Sequence, residues 1–165
     1  MTINEKGKVG IKQAFKDYWK GYFDFKGIST RAGYWWMTLI NLIIMLLLTA
    51  IFAGVIYVMF TTNDNNFPNW PMFVSIGAIV IFGLATIIPS IALSVRRYRD
   101  AGLNNMTIII SYVLNILFGA LATSNHSIWS FLSSAMSILM FVVCILPSHF
   151  LNDVSLIGRN YKSKK

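Results

Sequence analysis

Five charged residues have types and spacing that could build a phosphate site: the arginines Arg31, Arg96, Arg97 and Arg99, and Asp100 to position them, the last four within Ser94-Val-Arg-Arg-Tyr-Arg-Asp-Ala-Gly102. A guanidinium presents a planar fork of donors that fits a carboxylate or a phosphate two bonds at a time. Asp100 can therefore take one arginine in a bidentate pair, pinning the segment and leaving the other arginines for phosphate oxygens. The simpler account is that arginines beside an apolar span only set its orientation. Both accounts stay open at this point.

Other chemistry is poorly supplied. Ser133, Ser134 and Ser137 recur on one stretch, but no base lies near them in sequence, so helix packing explains them better than a nucleophile does. Cys144 is the single cysteine and sits in an apolar run, which suits a small packing residue and excludes an internal disulfide. His126 belongs to Asn125-His-Ser127, a glycosylation tripeptide in a turn too tight against a membrane to serve as an acceptor. There is no His-Glu-x-x-His pair, no phosphate-binding Gly-x-x-x-x-Gly-Lys loop and no Gly-x-Ser-x-Gly elbow. The expectation is a protein without a catalytic centre, a metal or a cofactor.

The elements that must position these residues are membrane spans. Hydrophobic residues make up 56% of the 165 and charged ones 12%, and Trp36–Thr62, Asn65–Val95 and Leu103–Asn152 hold no charge, the last long enough to cross twice. Ionisable side chains within spans cost about 2.5 to 3.5 kcal/mol even on insertion scales. Their absence argues against a proton-coupled pump. The net charge of +8 would point to nucleic acid in a soluble chain, but here the cations flank apolar spans, so anionic membrane lipids are the expected partner and nucleic acid is not.

In order, residues 10–25 place Ile11, Phe15, Tyr18, Trp19, Tyr22 and Phe23 at spacings of three and four, with Lys12, Lys16 and Lys20 on another face. That pattern predicts an amphipathic helix, lying in the membrane interface or packed on the ends of the spans. A glycine break follows, and Ser29 or Thr30 can cap the next helix. Spans are predicted at about 36–60, 72–95, 106–122 and 128–146, with a basic tail at 148–165 and the whole chain a single membrane domain. Trp19, Tyr34, Trp35, Trp36 and Trp70 are the expected interfacial anchors. Asn41 and Asn115 are the polar exceptions in the first and third spans, and Pro89 predicts a kink in the second.

Seven Lys or Arg precede Trp36, three lie in residues 96–105 and four follow Pro147, which accounts for all fourteen; residues 61–71 and 123–127 hold none. With four crossings every basic residue falls on one side, so both termini are expected in the cytoplasm. A three-span alternative, in which the short third stretch does not cross, puts the basic tail outside. The first 35 residues contain seven cations and no early apolar core, so the first span itself is expected to direct the chain to the membrane.

Phe25-x-Gly27-x-x-x-Arg31-x-x-Tyr34-Trp35 and Val95-Arg96-Arg97-x-x-Asp100-x-Gly102 resemble the paired segments of the YhaH-like bacterial inner-membrane family, domain of unknown function 805. Departures from that pattern are Ile28 for Arg, Gly33 for an acidic residue, Arg99 for His, and Asn104-Asn105-Met106 for Ser-Gly-Trp. The resemblance carries over Arg31, Arg97, Asp100 and Gly102 and implies an all-α membrane protein of the bacterial cell membrane, with no established activity. The resulting expectation is a non-catalytic protein whose cytoplasmic Arg/Asp motif binds lipid head groups or a protein partner. The alternatives are a subunit of a homo-oligomeric transporter or channel, and an interfacial enzyme acting on lipid phosphates.

Overall fold

The computed structural model describes residues 2–5, 7–61, 68–123, 127–154 and 157–158. Five helices follow in order: α1 Ile11–Lys20, α2 Arg31–Thr61, α3 Trp70–Ala101, α4 Asn105–Leu121 and α5 Ser127–Ile145. Among the described residues, β-pairing is limited to isolated bridges, Asn4 with Ile28 and Leu103 with Gly158. The polar loop centred on Asp64, the turn containing Asn125 and His126, and the tail cations Arg159, Lys162, Lys164 and Lys165 lie outside the described residues.

α1 ends at Lys20 rather than at the expected Phe25. Gly21 has little tendency to continue a helix, and Asp24 turns the chain instead, its Oδ1 accepting from the Lys26 and Gly27 N–H groups at 3.0 and 3.1 Å. Thr30 is the residue that caps α2: its Oγ1 accepts from the Gly33 N–H at 3.2 Å. α2 therefore begins at Arg31, and Tyr34, Trp35 and Trp36 ride on its first turns. Asn104 caps α4, accepting from the Met106 N–H at 3.1 Å.

The largest correction concerns residues 94–102, expected as a connection between spans. They are the last turns of α3, which runs unbroken to Ala101. The helix closes at Gly102 in the left-handed region, φ 107°. The Gly102 N–H bonds to the Arg99 carbonyl and the Leu103 N–H to the Tyr98 carbonyl, both at 3.1 Å. This paired closure needs a residue free of Cβ at its left-handed position, and Tyr98 and Leu103 make the apolar contact that accompanies it. The charges marked the helix end, not a loop.

At 1.5 Å per residue α2 and α3 are about 46 and 48 Å long, α5 about 28 Å and α4 about 25 Å, against a hydrocarbon core of about 30 Å. α2, α3 and α5 are long and apolar enough to cross a membrane; α4, at 17 residues, is the shorter apolar helix. α2 packs on α3 and α4 on α5; α5 also meets α2 and α3, α3 meets α4, and α1 lies across α2 and α3. Burial is concentrated at the arginine-bearing end. One cluster joins Val9, Ala14, Tyr18, Met37 and Leu93, and a second joins Tyr98, Leu103, Ile108 and Cys144, with Tyr34 touching both. Away from that end the helices present Leu46 and Ile51, each 59% exposed, and Phe60, 82% exposed. A soluble monomer does not carry such a continuous apolar surface. The chain is a membrane protein.

Pro89 stands inside α3 and lacks the N–H that would bond the Ala85 carbonyl four residues earlier. Tyr22, just beyond α1, donates its hydroxyl to that same carbonyl at 3.0 Å. Tyr18 donates to the next carbonyl, Thr86, at 3.3 Å, meets Ser90 Oγ at 2.8 Å, and accepts from Asn41 Nδ2 at 3.2 Å. The aromatic stripe of α1 thus divides. Tyr22 fills the proline gap and Tyr18 ties α1 to the neighbouring turn of α3, while Ile11 and Phe15, each 47% exposed, and Trp19, 39% exposed, face outward. Tyr22→Phe is expected to lower stability by about 1 kcal/mol, within the range of single hydrogen bonds between membrane helices. Thermal unfolding in detergent checks this, with Tyr57→Phe, 69% exposed on α2, as the unaffected control.

Candidate functional site

Arg97 lies on α3 one turn before Asp100 and is fully buried. One guanidinium nitrogen pairs with Asp100 Oδ2. Nε donates to the Cys144 carbonyl at 3.1 Å, and Nη2 donates to the Leu146 carbonyl. Those carbonyls belong to the C-terminus of α5, where helical partners run out and the helix dipole is negative, so a cation is doubly favoured there. Asp100 Oδ2 also accepts from Ser148 Oγ at 2.7 Å. The backbone continues the joint: the His149 N–H bonds to the Asp100 carbonyl at 2.6 Å and the Leu151 N–H to the Ala101 carbonyl at 2.9 Å. Arg97 and Asp100 together form a clasp between the ends of α3 and α5.

Arg96, also fully buried, points the other way, beneath the turn that follows α1. Its Nη1 donates to the Asp17 carbonyl at 3.3 Å, and the carboxylates of Asp24, Glu5 and Asp17 surround it electrostatically. Gly21 lets the chain pass this guanidinium, since a Cβ there would fall within 2.8 Å of the Asp17 carbonyl and closer still to Arg96 Nη1. Nε and Nη2 find no hydrogen-bond partner among the described residues. Arg96 is held by surrounding negative charge and by packing.

Arg31 and Arg99 are placed differently. Arg99 is half-buried, and its Nη1 donates to the Lys26 carbonyl at 3.0 Å. Arg31 is exposed at the start of α2 and lines an open cleft of about 620 Å³ together with Glu5, Lys8, Asp100, Ser148 and His149. The five residues singled out in the sequence therefore share one end of the molecule but not one pocket; only Arg31 and Asp100 meet at the cleft. Glu5, Lys8, Ser148 and His149 were missed. Glu5 accepts from the Thr30 N–H at 2.8 Å and from Thr30 Oγ1 at 3.0 Å, reinforcing the α2 cap across 25 residues of chain. No spacing rule links such positions, although an acidic residue is a favoured occupant of a helix N-terminus.

Of the expected anchors, Tyr34 is half-buried between the two clusters, and Trp35 sets its ring edge-on to Phe141 of α5, 5.8 Å between centroids. Trp19 and Trp36 are exposed at the arginine end and Trp70 at the start of α3. The polar span residue Asn115 donates to Ser137 Oγ at 2.9 Å, joining α4 to α5.

A family model described as "Protein of unknown function (DUF805)" matches residues 22–152. The chain belongs to this family. Comparison with curated proteins and with solved structures gives no match. The DUF805 segment takes in α2 to α5 and ends at Asn152, so the whole Arg97–Asp100–Ser148 clasp lies inside it. α1 and the Glu5 strap lie outside. Within DUF805, Arg31, Arg97, Asp100 and Gly102, the positions carried over by resemblance, divide between the cleft rim and the clasp.

Proposed function

We propose that this DUF805 chain is a non-catalytic, multi-pass protein of the bacterial cytoplasmic membrane. Its buried clasp holds the helix ends, and its exposed basic rim binds anionic lipid head groups or a partner. The observation that carries the reading is the division of the cations: Arg96 and Arg97 are fully buried, while Lys8 and Arg31 stand exposed at the cleft. Four crossings with both termini cytoplasmic fit this reading. Arg97 ties the end of α5 to the end of α3, and α4 leaves from beside that joint, so α4 and α5 run out and back as a hairpin. The basic residues near these joints then share the cytoplasmic side.

The cleft does contain Asp100, Ser148 and His149, residue types used in acyl transfer. Their connections speak for a joint instead, because Ser148 gives its proton to Asp100, and Asp100 is already paired with Arg97. A nucleophile would need a base on its hydroxyl and a free position above it.

The test is native mass spectrometry of the full chain released from nanodiscs of phosphatidylglycerol. Lys8→Gln with Arg31→Gln is expected to retain fewer phosphatidylglycerol molecules, since each cation near an anionic surface contributes about 1 kcal/mol. Unchanged lipid retention in that double variant would remove the head-group reading.

A further inference from the structure

A second feature at the same end points to where a bound lipid puts its chain. On the outer side of α3 and α4 runs a groove of about 350 Å³, walled by Val95 of α3 and by Ile109, Val113 and Ile116 of α4. The last three stand at helical spacings of four and three, on one face, and are 58%, 56% and 69% exposed, so they look toward the acyl region. At the mouth the lining changes to Arg99, Asn105 and Phe25. Arg99 Nη1 donates to the Lys26 carbonyl at 3.0 Å, which fixes the guanidinium at this corner. Among the described residues, no carboxylate lines the groove.

Two quantities choose the occupant. From Asn105 to Ile116 α4 rises about 17 Å, close to half of the about 30 Å hydrocarbon core, which is the depth of one leaflet. The polar mouth is cationic and the remaining wall is apolar. An acyl chain of the arginine-side leaflet matches the wall, and a phosphate with net negative charge matches the mouth. We propose that the α3–α4 groove is a binding site for one anionic phospholipid, its chain lying along Ile109, Val113 and Ile116 and its head group at Arg99 and Asn105. This rests on the reading of the arginine end as lying at head-group depth.

The experiment places the full chain in nanodiscs of equal parts phosphatidylglycerol and phosphatidylcholine, then reads retained lipid by native mass spectrometry after stepwise delipidation. Wild type is expected to keep one phosphatidylglycerol longest. Val113→Trp, on an exposed face where folding is undisturbed, fills the groove and is expected to lose that last lipid. Ile138→Trp, at a 62% exposed position on α5 outside the groove, keeps it. Arg99→Gln is expected to lower the preference for phosphatidylglycerol over phosphatidylcholine by about fivefold. Equal retention of the two lipids by wild type, or an unchanged last lipid in Val113→Trp, overturns the site. So does a dimer that Val113→Trp disperses, because a second copy of the chain would then occupy the groove. Loss of lipid in the Lys8/Arg31 double variant with no effect of Val113→Trp removes the groove and leaves the rim. The reverse pattern removes the rim and leaves the groove.

Discussion

Asp100→Asn is expected to be the most damaging conservative change in the chain, lowering the thermal midpoint in detergent and the amount of protein that accumulates in the membrane. The substitution keeps the shape of the side chain but removes its charge, leaving the fully buried Arg97 without its counter-ion. Breaking a buried pair from one side costs about 3–5 kcal/mol, most of it the penalty of an uncompensated charge. Arg97→Lys should approach the same loss. A guanidinium reaches Asp100, the Cys144 carbonyl and the Leu146 carbonyl in one plane, whereas an ammonium is a point charge on a flexible stem. Replacing both partners, Arg97→Met with Asp100→Leu, should cost less than either single change, since no charge is then stranded. A wild-type midpoint for Asp100→Asn would show that the pair does not hold α3 to α5.

Gly102→Ala is expected to be nearly as severe, although it adds a single methyl group. The residue sits at φ 107°, where an L side chain is strained. Left-handed backbone costs such residues roughly 1–2 kcal/mol. The new Cβ would also fall 2.6 Å from the Asn152 N and 3.0 Å from the Leu151 carbonyl carbon, backbone atoms of the segment docked against the end of α3. Overpacking of this kind adds about 1–3 kcal/mol. Asn152→Ala should rescue it only in part, because it removes Oδ1, 2.7 Å from the new Cβ, but leaves the strained φ and the main-chain atoms in place. Gly54→Ala is the informative contrast: a Cβ there meets nothing within 4 Å, so the change should be neutral or stabilising by up to about 1 kcal/mol. Equal midpoints for the two variants would contradict this account of the α3 end.

These two residues also mark where the sequence could be read and where it could not. The apolar windows located α2, α3, α4 and α5 because hydropathy acts on each helix alone. A cap at Ser29 or Thr30 was legible for the same reason, and the structure selects Thr30. Gly102 was named only as a position of the resemblance and not as the close of a helix, since Arg96, Arg97 and Arg99 made the turns before it look like a connection between spans. What inverted that expectation is tertiary: the carbonyls that accept from Arg97 belong to residues 47 and 49 positions away. The role of α1 was half legible. Its periodicity showed an aromatic face, but only the packing reveals that Tyr22 answers the carbonyl freed by Pro89. Glu5 gave no pattern at all, since a single acidic residue in a short polar stretch looks the same whether or not a distant helix start awaits it.

The repair of the Pro89 gap also imposes an order of assembly. α1 is made before α3, yet the carbonyls that Tyr18 and Tyr22 bind belong to Thr86 and Ala85, more than sixty residues later in the chain. The Arg97 clasp waits longer still, for carbonyls at 144 and 146. During synthesis α2 and α3 must therefore enter the bilayer before the amino-terminal segment has anywhere to dock, and the arginine end closes only when α5 has arrived. A nascent chain halted after α3 would hold Arg97 with Asp100 but without the carbonyls of Cys144 and Leu146.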